Sequence, residues 1–304
     1  MSRVCVIIVS FNTRDLLRKC LGSVEHHHDV VVVDNASIDG SASMVELEFP
    51  RAKLIKNDSN VGFGAANNQG LAVIQSKYAL FLNSDAEATP GAIDRLADLL
   101  DSEDTIMAVG GQLLNPDGTT QSSSANALTL WAVFCEQFYL EKLFPRSRLL
   151  SPYWNTLWLA VHEQPLPTEQ VMGACLMARP VTRFDERFFL YCEDTELCFR
   201  LRQTGTIYYV PGAKFHHELG ASSKATRWES VARYNRGKEL FFRLHFGVAA
   251  SWICLILNRL GALMRLIVSL PLAAVRRPGA KQKVILFCRV FLAPISGPPR
   301  PDRR

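Results

Sequence analysis

The chain has no CxxC pair. Its eight cysteines (Cys5, Cys20, Cys135, Cys175, Cys192, Cys198, Cys254, Cys288) are scattered, several of them inside apolar runs. This spacing argues against a zinc ribbon or dithiol redox site and reads as reduced core thiols of a cytosolic protein. A secretory leader is also missing: MSRVCVIIVSFN enters a strand-like run at once, with no basic segment, long apolar core or small-residue cleavage site. The first apolar run ends in Ser10-Phe11-Asn12-Thr13, which offers no glycine- and lysine-rich phosphate loop. Acidic residues nearly vanish from the C-terminal part, where residues 259–304 hold ten Lys/Arg and only Asp302. The net charge of +5 is therefore a property of the tail (+9), while residues 1–258 carry −4. Nucleic acid is not an expected partner of the main body.

What is present is enough for a large core. In 304 residues, 48% are hydrophobic and 10% aromatic, which suits one large α/β domain or a domain with an appendage. Val4–Ser10 is apolar and β-branched, and Leu16, Leu17, Cys20, Leu21 and Val24 follow at helical spacing with Asn12 or Thr13 as N-cap. Val30–Val33, Lys53–Lys56 and Tyr78–Leu82 read as further strands, and residues 65–75 as a helix. Thr89-Pro90 predicts an N-cap and first helical position, with Ile93, Leu96, Ala97 and Leu100 as the buried stripe. Strands alternating with helices imply a parallel, doubly wound sheet, because right-handed crossovers are nearly the only way to join such strands.

Polar residues gather where these strands end. Tyr78–Leu82 runs into Asn83-Ser84-Asp85, and Val30–Val33 into Asp34-Asn35. In open α/β sheets, ligands bind outside the carboxyl ends of the strands. A carboxylate there serves either as turn chemistry or as a hard-metal ligand, and Asp34-Asn35 either as an Asx turn or as a reader of base and ribose edges. Asn60-Val61-Gly62-Phe63-Gly64 follows the third strand and lacks a third glycine at the required spacing, so it is a poor dinucleotide fingerprint.

Further along, Ile106–Val109 reads as a strand and Asn115–Gly118 as a turn, while the aromatic, aperiodic segment 127–170 reads either as a mobile cover over the site or as core packing. Val171–Met177 is strand-like and rich in small residues. Glu193, Asp194 and Glu196 crowd the first turn of a helix, directly after Phe188, Phe189 and Tyr191. Capping explains one or two of these acids, and an acid beside apolar surface is where a general base with a raised pKa would be built. One of His216 and His217 could ligate a metal, whereas His26-His27-His28 reads as a solvated loop.

Taken together, VSFN (Val9–Asn12), VDNASIDGS (Val33–Ser41), NVGFGAANNQG (Asn60–Gly70), LFLNSDAEATP (Leu80–Pro90), GACLMARP (Gly173–Pro180), FDERFFLYCEDTELCFRLRQTG (Phe184–Gly205) and HELGASS (His217–Ser223) resemble the family 2 glycosyltransferases, particularly the bacterial rhamnosyltransferase-like branch. The resemblance implies a GT-A fold, a Rossmann-like mixed sheet flanked by helices, over residues 1–235: a nucleotide-binding half (1–110) and an acceptor half (111–235). It implies inverting transfer of a sugar, rhamnose among the candidates, from a nucleoside-diphosphate sugar to a saccharide or lipid-linked acceptor in cell-surface polysaccharide synthesis. Position by position, Ser10, Asn12, Asp34, Asn35, Asn60, Asn67, Asn83, Ser84 and Asp85 would form the nucleotide-sugar site. Asp85 would hold Mg²⁺ or Mn²⁺ with His217 as an added ligand. Asp194 would be the base beside Glu193, and Gly173, Ala174 and Glu196 would meet the acceptor. The family's metal motif often carries a second aspartate where this chain has Ser84.

Two rival functions are a nucleotidyltransferase, for which the phosphate loop is missing, and a non-catalytic nucleotide-sugar-binding protein, which would account for Ser84. The C-terminal region, 236–304, follows a different logic. Val248–Val275 is largely apolar but interrupted by Asn258, Arg259 and Arg265. A spanning helix wants about twenty uninterrupted apolar residues, and a central arginine costs at least about 2.5 kcal/mol. A helix lying in the membrane interface, followed by Arg276, Arg277, Lys281, Lys283 and Arg289, is the expectation, placing the protein at the inner face of the cell membrane. The competing reading is a helical pair packed on the catalytic domain or at a dimer interface.

Overall fold

Seven apolar, mostly β-branched residues form β1 (Val4–Ser10), buried along nearly its whole length, and every element of the site is placed relative to it. The structure is a computed structural model and describes residues 2–159, 161–180, 183–218, 227–275 and 278–294. After β1 come α1 (Arg14–Ser23), β2 (Asp29–Asp34), α2 (Ser41–Glu48), β3 (Lys53–Lys56), α3 (Phe63–Leu71), β4 (Tyr78–Asn83), β5 (Ala86–Ala88), α4 (Ala92–Ser102) and β6 (Ile106–Leu114). The middle holds β7 (Ser124–Ala125), α5 (Leu130–Gln137), α6 (Leu140–Leu143), α7 (Thr156–Leu159), β8 (Leu166–Thr168), β9 (Gln170–Val171) and β10 (Cys175–Ala178). Then follow α8 (Glu193–Leu201), β11 (Thr206–His217), α9 (Arg227–His245), α10 (Gly247–Ala274) and α11 (Ala280–Leu292).

The main sheet runs β3-β2-β1-β4-β10-β6-β11-β5, with β8 added on β11. Strands β3, β2, β1 and β4 are parallel, as the alternating pattern predicts. Beyond β4 the sheet becomes mixed: β10 is antiparallel to both β4 and β6, and β11 is parallel to β6 and antiparallel to β5. These directions bring the ends of β1, β2, β4 and β11, together with the beginnings of β10 and β5, to one edge. Side-chain alternation along β4 divides the core. Tyr78, Leu80 and Leu82 pack with α1, α2 and α4 on one face, and Ala79 and Phe81 with Leu197, Cys198 and Leu201 of α8 on the other.

Several expectations shift in detail. The run predicted as one strand over 171–177 is two, β9 and β10, with Met172–Ala174 crossing between them. Thr89 does not cap α4: the helix begins after Gly91, which adopts φ 72°, so Pro90 lies outside the helix. Helix α3 ends at Leu71, four residues short of the predicted limit. The boundary drawn at residue 110 falls inside β6, so the two halves share a strand. In the segment 127–170, α5 belongs to a core cluster with Phe188, Cys192, Phe241, Phe242 and Cys254, which is the packing alternative for that part.

The C-terminal helices are apolar outside and polar inside. Asn258 donates from its side-chain Nδ2 to Glu239 Oε1 (2.9 Å), and Arg265 donates to Gln137 Oε1 (2.6 Å) and to the Glu136 carbonyl (3.0 Å). Arg259 closes the end of α11 by donating to the carbonyls of Val290, Phe291 and Ala293. Lys238, fully buried, pairs with Glu136 at 2.6 Å. Meanwhile Val248, Trp252, Ile253, Ile256, Leu260, Ile267, Val268 and Leu270 are exposed. Arg276 and Arg277 of the expected basic tail lie outside the described residues, as do residues 295–304.

Candidate active site

One backbone hydrogen bond joins the two halves of the site. Asn83, the last residue of β4, donates its N–H to the Ala174 carbonyl at 3.1 Å and so extends the β4–β10 ladder to the edge of the sheet. Next to Ala174, Gly173 donates its N–H to Asp194 Oδ2 at 2.8 Å. A side chain at Gly173 would place its Cβ 3.3 Å from Asp194 Cβ and 3.5 Å from that oxygen, so glycine is what lets the first turn of α8 approach. On the other side of the junction, Asn83 Nδ2 lies 3.4 Å from His217 Nε2, and the same nitrogen is 3.2 Å from Asp85 Oδ1. A continuous chain, Asp194–Gly173–Ala174–Asn83–His217–Asp85, thus holds two carboxylates more than a hundred residues apart at one crevice.

The Asp85–His217 pair is buried and oriented. Gln121 donates from Nε2 to Asn115 Oδ1, so its Oε1 accepts the Nδ1–H of His217 at 2.6 Å. That bond leaves the lone pair on Nε2, facing the Asp85 carboxylate. An unprotonated nitrogen and an anionic oxygen at this distance repel each other unless a proton or a cation lies between them. A carboxylate and an imidazole whose second nitrogen is held by an amide oxygen form a donor set suited to Mn²⁺ or Mg²⁺, whose neighbouring ligands stand about 3 Å apart. Ser84 does not add to this set: Thr13 Oγ1 donates to its hydroxyl at 2.9 Å and also meets Ser10 Oγ at 3.1 Å. The Thr13 hydroxyl therefore ties β1 to β4 and makes no side-chain cap on α1.

The other half of the crevice comes from β1, β2 and the β3–α3 loop. Asn35 donates its N–H to the Ser10 carbonyl, its side chain donates to the Gly62 carbonyl, and Asn57 donates to its Oδ1. Asp34 Oδ1 accepts the Ser37 N–H at 2.9 Å, whereas its buried Oδ2 makes no hydrogen bond among the described residues. Asn67 is alike: Nδ2 donates to the Phe63 carbonyl and Oδ1 is buried without a partner. Unmatched acceptors of this kind mark where a ligand's donors fit. Asn60 Oδ1 accepts the Gly62 N–H, which shapes the loop. Asn12 is exposed at φ 55°; its Oδ1 accepts the Ile38 N–H, and its own N–H goes to Ser37 Oγ.

The three acids of α8 diverge. Asp194 accepts from Gly173 N and from its neighbour Thr195 N (2.8 Å), and burial, opposed by these backbone bonds, raises its pKa. Glu193, buried with Oε2 unpartnered, is pushed up to about 8 by desolvation and then by the charge of Asp194. Glu196 is held in a two-pronged pair with Arg200 (both 2.7 Å) and lies 3.3 Å from His245 of α9, so its oxygens are engaged in packing α8 on α9. Thr13 and Gln121 are the residues that sequence reasoning passed over. Thr13 was legible only as a cap, and nothing in the polar run around Gln121 distinguishes it before His217 is seen beside it. Leu219–Ser223 of the HELGASS motif lie outside the described residues.

This arrangement is that of a GT-A glycosyltransferase. Residues 5–157 match the model of glycosyl transferase family 2, and the chain belongs to that family. It is similar to the N-acetylglucosaminyl-diphospho-decaprenol L-rhamnosyltransferase of Mycobacterium tuberculosis, 26% identical over 264 residues that cover 78% of this chain and 82% of the relative. It is also similar to the rhamnosyltransferase WbbL of Escherichia coli (strain K12), 26% identical over 286 residues that cover 82% of this chain and 98% of the relative. Among solved structures, the mannosyltransferase PcManGT from Pyrobaculum calidifontis, in complex with GDP-Man and Mn²⁺, aligns over 95% of this chain and 85% of its own with a TM-score of 0.54 at 12% identity. Residues 1–349 of S. aureus TarS align over 96% and 90% with a TM-score of 0.50 at 14% identity. These structures share the fold.

Proposed function

We propose that this chain is a metal-dependent inverting glycosyltransferase that moves a sugar, rhamnose as in its relatives, from a nucleoside-diphosphate sugar to a hydroxyl of a lipid-linked saccharide. The observation that carries it is the hydrogen-bonded chain from Asp194 through Gly173, Ala174 and Asn83 to His217 and Asp85, which sets a candidate base and a candidate cation site across one crevice.

Each residue has work to do in that reaction. Asp34 Oδ2 and Asn67 Oδ1 take hydrogen bonds from the nucleoside, and Asn35 and Asn60 hold the walls between them. Asp85 and His217 would hold a divalent ion, which when bound neutralises charge on the leaving diphosphate. Asp194 Oδ1 accepts from the Thr195 N–H and hydroxyl, while Oδ2 uses one lone pair on the Gly173 N–H and keeps another. As the acceptor oxygen forms its bond to the anomeric carbon, its proton passes to Asp194 while the carbon–phosphate-oxygen bond breaks on the opposite face and the diphosphate leaves with the electron pair. Backbone bonds from two elements fix the carboxylate in place, and burial makes it a better proton acceptor than an exposed aspartate.

A C-terminal region seated on a membrane would suit a lipid-linked acceptor. The polar interruptions of α10 are satisfied inward, which leaves an apolar row outward on the one described helix long and apolar enough to cross a membrane. With Lys281, Lys283 and Arg289 exposed on α11, the arrangement suits a helix seated in the interface of an anionic leaflet, at the inner face of the cell membrane.

The test uses full-length protein with a panel of nucleoside-diphosphate sugars, rhamnosyl donors included, with and without Mn²⁺ and with a lipid-linked acceptor. Transfer that requires the ion is the expected result. Asp194→Asn should lower turnover by about a thousandfold or more while nucleotide binding stays near normal, and Asp85→Asn should abolish transfer at the ion concentration that saturates the wild type. Retained turnover in Asp194→Asn rules out the base.

A further inference from the structure

The loop between α1 and β2 does not behave as the solvated histidine run its sequence suggests. His27 is exposed, but the His28 side chain is only 1% exposed, and neither of its ring nitrogens makes a hydrogen bond among the described residues. Its Nε2 points at two carboxylates, 3.5 Å from Glu25 Oε2 and 3.8 Å from Asp94 Oδ1. His27 Nε2 reaches the same aspartate at 3.1 Å. Glu25 uses Oε1 to accept the Gly91 N–H at 2.7 Å, while its buried Oε2 has no hydrogen bond. Ligand atoms of His27, His28 and Asp94 lie within 4.8 Å of one another.

An imidazolium–carboxylate pair between His27 and Asp94 would explain half of this cluster. It leaves the His28 ring, buried beside Glu25 Oε2 and Asp94, without a hydrogen bond at either nitrogen. Four-coordinate zinc, with bonds of about 2.0–2.1 Å, holds its ligands about 3.3 Å apart; the imidazole–Asp94 separations here are 3.1 and 3.8 Å, and the three residues' ligand atoms lie within 4.8 Å of one another, within reach of one ion after small side-chain shifts. We propose that His27, His28 and Asp94 form a second divalent-cation site, of zinc type, separate from the donor crevice, with Glu25 standing against His28. Two imidazoles among three protein ligands favour Zn²⁺ over Mg²⁺ or Ca²⁺, which prefer oxygen-rich shells. Burial, then the neighbouring His27, lowers the His28 pKa, which keeps the ring in the neutral form that ligates.

Topology keeps this site away from the crevice. His28 lies just before the start of β2, and Asp34 ends the same strand, a separation of about 20 Å along its six residues. The consequence is structural: a bound ion clips the α1–β2 loop to the first turn of α4, where Glu25 already holds Gly91.

The experiment reads metal content, so its outcome is independent of any transferase activity. Full-length Asp85→Asn protein, in which the crevice pair is disabled, is stripped with chelator, loaded with Zn²⁺ or Co²⁺ and desalted. About one equivalent should remain, and the Co²⁺ form should show the intense visible absorption of four-coordinate cobalt. His27→Ala and Asp94→Asn on that background change accessible side chains, so folding should persist by circular dichroism. Each should weaken retention about tenfold or more and remove the visible band. No metal retained by the parent, or the same equivalent retained after both substitutions, overturns the site.

Discussion

Glu193 and Asp194 are adjacent in sequence, yet their carboxyl groups differ in the one respect that sets a proton's affinity. Asp194 accepts two backbone N–H groups, which favour its ionised form, while Glu193 has a buried oxygen with no donor at all. Pushed up to about 8 by burial and by the neighbouring Asp194, Glu193 is largely protonated at neutral pH. The folded-state value lies above the ordinary one of 4.5, so the folded chain keeps a proton that the unfolded chain releases. Between those two values stability therefore falls as pH rises. Glu193→Gln mimics the protonated acid and should remove that loss. Its unfolding free energy should match the wild type near about pH 5 and exceed it increasingly toward pH 8, by on the order of a few kcal/mol. Parallel stability profiles across that range would show that Glu193 ionises normally.

At the scale of elements, α8 is presented by a strained entry. Tyr191 and Cys192, at φ 73° and 66°, are consecutive non-glycine residues in the left-handed region, immediately before the acids. Such backbone persists only when its surroundings hold it. The holder is α9: Cys192 Sγ donates to the Tyr234 carbonyl, and Gly237 packs so closely that a Cβ there would lie 2.7 Å from the Tyr191 carbonyl oxygen and 3.0 Å from Cys192 Sγ. Alanine is the better helix former by about 1 kcal/mol, so Gly237→Ala should cost little in helicity. It should instead displace the Tyr191–Cys192 turn and lower kcat by about tenfold or more, with donor KM unchanged because β1 to β4 are untouched. Wild-type kcat in that variant would show that α9 only covers α8. None of this was visible in the sequence, where Gly237 sits in an ordinary helical stretch and the turn before α8 carries no glycine. Strands β1, β2 and β4, by contrast, were legible because each is a short apolar run ending in Asn, Asp or Ser, a pattern that suits buried parallel strands.

For the whole molecule, the exposed row Trp252, Ile256 and Leu260 on α10 belongs to a helix whose polar residues are all turned inward. Replacing these three with Ser or Gln should abolish flotation with anionic liposomes while leaving the melting temperature within about 2 °C, since exposed side chains carry little of the folding energy. Loss of stability without loss of flotation would mean that the row packs against protein. The order of apolar runs and their polar endings was enough to set the parallel strands and the polar residues at their ends, and the motifs taken together carried the resemblance to the family. Those signals are local and read along the chain. Tertiary structure alone decided that β10 runs antiparallel beside β4 and so carries Gly173 to Asp194. It also decided that Gln121 orients His217, that Glu196 is spent on Arg200, and that the arginines interrupting α10 face protein. Each of these depends on segments far apart in sequence meeting at one edge or one interface, where hydrogen-bond demand rather than periodicity chooses the partner.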